Sequence, residues 1–153
     1  MRRGSIAGML FGVLLLVVVV SIDLPRGAGG VKHMNVPGRD DDRPFANLVV
    51  AGDTVYLAGA LGLDPDTRKV PDDVATEVRN IMENMQQRLE MVDMTMDDLV
   101  SVQVFCSDVS LYGEFNEVYR TYFEERFPAR AFIGSGPLLF GARFEIMGTA
   151  VRH

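Results

Sequence analysis

The sequence has no tryptophan, one cysteine (Cys106) and two histidines, His33 and His153. A single cysteine excludes an intrachain disulfide framework and any cysteine-built zinc site. Two histidines near opposite ends of the globular part argue against a histidine-centred catalytic or metal cluster. Positive charge is also scarce: 15 Lys and Arg stand against 21 Asp and Glu, a net charge of −6. Attraction to phosphates needs a basic face, so no nucleic-acid partner is expected. What is present suffices for a core: 48% of the 153 residues are hydrophobic and 24% charged, which excludes disorder throughout. The length allows one compact domain with a tail.

Apolar residues are unevenly spread. Residues 6–22 form an uncharged, almost wholly apolar run behind Arg2 and Arg3, and Asp23 ends it. This is the layout of a secretory signal or an N-terminal membrane anchor, so residues 1–22 are expected to contact a membrane. Seventeen residues lie at the short edge of what spans a bilayer. The leading arginines place the amino end inside, so the rest is expected to be exported, either periplasmic or anchored to the inner membrane. Residues 23–43 read as a flexible linker, broken by Gly27, Gly29, Gly30, Pro37 and Gly38. The cluster Arg39-Asp40-Asp41-Asp42-Arg43 reads as a solvated entry loop. Three arginines and one aspartate lie in the first 30 residues, so the remainder carries −8.

Residues 44–153 read as one domain. Asn47 to Val50 and Thr54 to Gly59 are two strands around Gly52-Asp53. Val74, Val78, Ile81, Met82, Met85, Leu89 and Val92 recur at steps of three and four, one apolar helical stripe, with Asp72 or Asp73 as N-cap. Met82 and Met85 fall on that stripe and are core residues. Alternation in Leu99 to Cys106 puts Val100, Val102, Val104 and Cys106 on one face, making Cys106 a buried thiol. Ser110 is expected to cap a second helix running to Phe123, with Phe115, Tyr119, Tyr122 and Phe123 inward. Ala129 to Gly134 and Arg143 to Val151 are two further strands. The order β-β-α-β-α-β-β predicts an α+β fold with both helices on one sheet face. The other face carries Tyr56 and Phe105 and needs a partner, which a closed homo-oligomer of identical chains supplies.

An ordered set of segments resembles the RidA (YjgF) family of imine/enamine deaminases, also described as endoribonucleases. They are Pro44-Phe45-Ala46, Val55 to Gly59, Leu63 to Thr67, Glu83-Asn84-Met85, Asp97 to Phe105, Phe115 to Tyr119, Phe127-Pro128-Ala129-Arg130 and Phe144-Glu145-Ile146. The resemblance implies a chorismate-mutase-like sheet and a homotrimer with three clefts between subunits. It implies hydrolysis of 2-imino or enamine acids of the 2-aminoacrylate class to 2-keto acids and ammonia. The alternative is a non-catalytic module that holds a small carboxylate in the cell envelope. Water is the only co-reactant, so no metal or organic cofactor is expected.

Within that frame, Arg130 matches the arginine that takes the substrate carboxylate, a task suited to a planar guanidinium fork. Glu145 matches the glutamate that holds the attacking water. Alternation is expected to put Glu145 on the same side as Arg143. Asn116 matches an asparagine near the cleft, and Gly59 a glycine that lets ligand approach the backbone. Three cleft positions depart from the family: Phe45 replaces tyrosine, Ala58 replaces serine, and Phe132 is bulkier than usual. Met147 stands where a second acidic residue is common. Loss of two hydroxyls weakens polar binding by about 1 kcal/mol each.

Overall fold

The computed structural model describes residues 30–39, 42–124 and 126–152. The apolar run 6–22, and the signal or anchor role expected of it, lies outside the described residues. Among the described residues no helix is long and apolar enough to cross a membrane.

The elements run β1 (Lys32–Met34), β2 (Leu48–Ala51), β3 (Thr54–Leu61), α1 (Val74–Glu90), β4 (Leu99–Cys106), α2 (Tyr112–Tyr119), β5 (Ala129–Gly134) and β6 (Phe144–Val151). The strands form one sheet in the order β1-β2-β3-β6-β4-β5. Every neighbouring pair is antiparallel except β4 with β5. A parallel pair needs a long crossover, and α2 lies within it. The fold is α+β. β1 sits inside the stretch read as a linker, pairing Lys32 with Val50 and Met34 with Leu48. Three residues between glycines and a proline are too few for alternation to show.

α1 starts at Asp73, whose carboxylate accepts the Thr76 backbone N–H at 2.7 Å and its hydroxyl at 2.6 Å. Its stripe of Val78, Ile81, Met82, Met85 and Leu89 is buried against Val55, Leu57, Val102, Val104 and Ile146. Cys106 is fully buried, and burial raises its thiol pKa. The opposite sheet face leaves Tyr56 and Met147 exposed. Two expectations fail locally. Val100 faces solvent because the β4–β6 register shifts between Leu99 and Ser101, which turns Leu99 inward instead. Ser110 caps nothing: its N–H donates to Asp108 Oδ1 at 3.0 Å, opening a 3-10 turn (Val109–Leu111). α2 then ends at Tyr119, where another 3-10 turn (Arg120–Tyr122) begins, short of Phe123.

Candidate active site

Glu145 sits in a notch made by a bulge. β3 pairs Leu57 with Gly148 and Ala60 with Ile146, so Ala58 and Gly59 together oppose Met147. A Cβ built on Gly59 would stand 2.1 Å from Glu145 Oε1 and 3.0 Å from its carboxyl carbon. The missing side chain is therefore what lets the carboxylate lie against the strand. From α1, Arg88 donates Nη1–H to the Ala58 carbonyl at 2.8 Å and pins the bulge from behind. Arg88 is only 5% exposed, and its Nε has no hydrogen-bond partner among the described residues. Burial, and then the charges of Arg39 and Arg43, lower its pKa to about 10.

Phe45 stands beside this end of the sheet and is 48% exposed. Arg39 donates to the Phe45 carbonyl at 2.6 Å and to Asn47 Oδ1 at 2.7 Å, and its guanidinium lies 4.7 Å over the Phe45 ring. The ring is thus held outward rather than folded onto its own sheet.

Arg130 occupies a different place. In β5 it pairs with Val102, and Phe132 pairs with Val104. In-register parallel neighbours share a face, so both side chains enter the helix side, beneath α2. The Arg130 guanidinium lies 4.5 Å from the Tyr119 ring centroid and within 6 Å of the Tyr112, Phe115 and Phe132 rings. No carboxylate pairs with it among the described residues. Phe132 packs edge-on against Tyr112 at 5.0 Å and Phe115 at 5.3 Å, closing the inner wall. Next to Arg130 opens a cavity of about 270 Å³ lined by Tyr112, Asn116, Tyr119, Arg120, Phe127 and Pro128. The Tyr119 hydroxyl is buried facing Arg130, which is near enough to act on it electrostatically although no hydrogen bond of good geometry joins them. Burial pushes its pKa up to about 12 against the opposing pull of Arg130.

The expected residues thus fall into two separate groups. Arg130, Asn116 and Phe132 meet under α2; Glu145, Gly59 and Ala58 meet at the bulge. Glu145 pairs with Phe105, and Phe105 with Ile133, so Arg130 lies two strands across and three residues along. Strand spacing and rise make that a Cα separation on the order of 14 Å, with the two side chains on opposite faces. Nor does Arg143 accompany Glu145. Its Nε donates to Glu77 Oε2 on α1 at 2.6 Å, and its terminal nitrogens donate to the Asp72 and Pro71 carbonyls. Arg143 precedes β6, so alternation does not bind it.

A family model described as Endoribonuclease L-PSP matches residues 40–152. The chain belongs to the RidA/YjgF family. A Drosophila melanogaster RutC family protein, UK114, is 38% identical over 104 residues, 67% of this chain and 75% of that one. The human 2-iminobutanoate/2-iminopropanoate deaminase is 31% identical over 110 residues, 71% of this chain and 80% of that one. Among solved structures, the Escherichia coli YjgF gene product superposes with a TM-score of 0.69 at 28% identity, covering 74% of this chain and 91% of that one. E. coli TdcF with bound serine gives 0.70 at 25%, covering 79% and 94%. In this RidA/YjgF chain, Tyr112, Tyr119 and Arg120 line the cavity beside Arg130 without having been expected there. Periodicity alone places Tyr119 on the apolar stripe. The available signal was spacing: Asn116, Tyr119 and Arg120, at i, i+3 and i+4, share a helix face.

Proposed function

We propose that this protein hydrolyses reactive 2-imino acids to 2-keto acids and ammonia in clefts between copies of the chain. Arg130 of one copy binds the carboxylate and Glu145 of a neighbouring copy holds the water. The observation that carries this reading is the Arg130 guanidinium, caged by aromatic rings at the edge of an open cavity and lacking a carboxylate partner among the described residues. A fork that no described carboxylate engages is available for a ligand carboxylate. The Glu145 notch supplies the complementary half: a carboxylate against bare backbone can hold a water within attacking distance of an imine carbon in the cleft. Relatives at 31–33% identity are named 2-iminobutanoate/2-iminopropanoate deaminases, which supports the reaction class.

A homotrimer accords with the exposed Tyr56 and Met147 on the bare sheet face and with the separation of the half-sites. Export, with residues 1–22 as signal or anchor, belongs to the same proposal. Protease protection after fractionation tests it, and a cytosolic protein retaining residues 1–22 refutes it. Ala58 and Phe45, which lack hydroxyls, favour a second reading in which the cleft binds a keto acid without turnover. One assay separates the two: ammonia release from freshly generated 2-iminobutyrate, alongside calorimetric binding of 2-oxobutyrate. Turnover lost in Arg130→Ala supports the deaminase; binding through Arg130 without turnover supports the module.

A further inference from the structure

The cavity beside Arg130 holds a second guanidinium. Arg120 follows Asn116 by one helical turn and lines the same cavity. Its Nε donates to the Asn116 carbonyl at 3.1 Å, which ties the side chain to the end of α2. Its two terminal NH2 groups have no hydrogen-bond partner among the described residues. Among the described residues no aspartate or glutamate lines the cavity, although acidic residues outnumber basic ones in the chain 21 to 15. A cavity whose described lining holds two guanidiniums and no carboxylate, in a protein of net negative charge, concentrates anions against the overall field. A ligand with one carboxylate matches one guanidinium fork and leaves the other unmatched. A ligand with two carboxylates matches both. The volume of about 270 Å³ lies just below the ~300–1,000 Å³ typical of small-molecule pockets, which suits a short diacid and not a polymer.

We propose that the cavity selects dicarboxylates, so that the preferred substrates are 2-imino acids bearing a second carboxylate on the side chain. The α-carboxylate lies on Arg130 and the distal one on Arg120. As regards turnover, the inference rests on the deaminase reading above; as regards binding, it does not. In the reaction the water oxygen adds to the imine carbon, the C–N bond breaks and nitrogen leaves as ammonia. The distal carboxylate is unchanged, and the product is a 2-keto diacid.

The test is calorimetric titration of the full chain with 2-oxoglutarate, oxaloacetate and 2-oxobutyrate. Ammonia release is followed in parallel from imines made in the cuvette by oxidase action on glutamate and 2-aminobutyrate. Wild type is expected to bind the diacids at least about tenfold more tightly than 2-oxobutyrate, the scale of one extra charge-assisted contact. Arg120→Gln is expected to bring that ratio near one, Arg120→Lys to keep part of it, and Arg120→Glu to invert it. Arg120 is exposed, so these variants are expected to fold, and melting curves check that they do. A wild type without diacid preference overturns the inference, as does an Arg120→Gln protein that keeps the full ratio. A wild type that binds neither class overturns it together with the Arg130 site. A diacid preference that depends on Arg120, with no ammonia from any imine, upholds the dicarboxylate site and refutes only the deaminase reading.

Discussion

If Arg130 and Glu145 serve one reaction from different copies, two inactive proteins can repair each other. The perturbation is a pair of variants, Arg130→Ala and Glu145→Gln, each expected to be inactive alone. The first removes the carboxylate fork. The second keeps a hydrogen-bonding group but is a far weaker base. Within one chain the two residues point from opposite sheet faces with two strand spacings between them. A competent cleft in a mixed assembly therefore needs intact Arg130 from a Glu145→Gln chain and intact Glu145 from its Arg130→Ala neighbour. In a cyclic assembly randomised from equal amounts, each cleft meets that condition about one time in four, so about a quarter of wild-type ammonia release should return. The assay is co-refolding of the two variants from denaturant, followed by ammonia release from 2-iminobutyrate at constant total protein. Mixing without unfolding is the control for slow exchange. If the mixture shows no recovery while refolded wild type does, the half-sites are not shared between copies, and the division of labour argued from the strand register is wrong.

Three further outcomes follow from particular contacts. Gly59→Ala puts a Cβ 2.1 Å from Glu145 Oε1, the far end of a flexible side chain that can swing away. Turnover should therefore fall by about tenfold or more with little loss of melting temperature, since about 1.4 kcal/mol of misplacement is tenfold in rate. Glu77→Ala should destabilise by about 3–5 kcal/mol in urea unfolding. Glu77 is fully buried and accepts the backbone N–H groups of Arg143 and Phe144 and the Arg143 Nε. The pKa of Tyr119, raised by burial to about 12, makes its contribution fully present below pH 10 and lost as pH rises from 10 to 12. Tyr119→Phe should flatten that alkaline loss, on the order of 2 kcal/mol, measured by urea unfolding at stepped pH.

Elements with strong periodicity could be read from the residues alone. α1 runs from Val74 to Glu90 under the Asp73 cap, because its apolar stripe and its cap point to the same start. β3, β5 and the core position of Cys106 were equally legible. Bulges were not: Val100 and Leu99 exchange faces through a register shift set by pairing with β6, which no local window contains. The same limit governs the site. Arg130, Asn116 and Phe132 could be named one by one as candidates, but the separation of Arg130 from Glu145 follows from strand order and parallel pairing, both long-range properties. Arg88 and Arg120 were passed over because arginine on a helix normally reads as a solvated face. Only the packing shows one pinning the bulge and the other lining the cavity.

The notch at Gly59 also constrains how this sequence can vary. With glutamate at position 145 reaching to 2.1 Å from where a Cβ would stand, position 59 has no room for any other residue until the carboxylate moves. The contact therefore couples what each of the two positions can accept. Shortening Glu145 would release position 59, and a side chain at 59 would mark a chain whose carboxylate had already been given up or re-aimed. Among related sequences, joint departure at these two positions is then a sharper sign of altered chemistry than a change at either one.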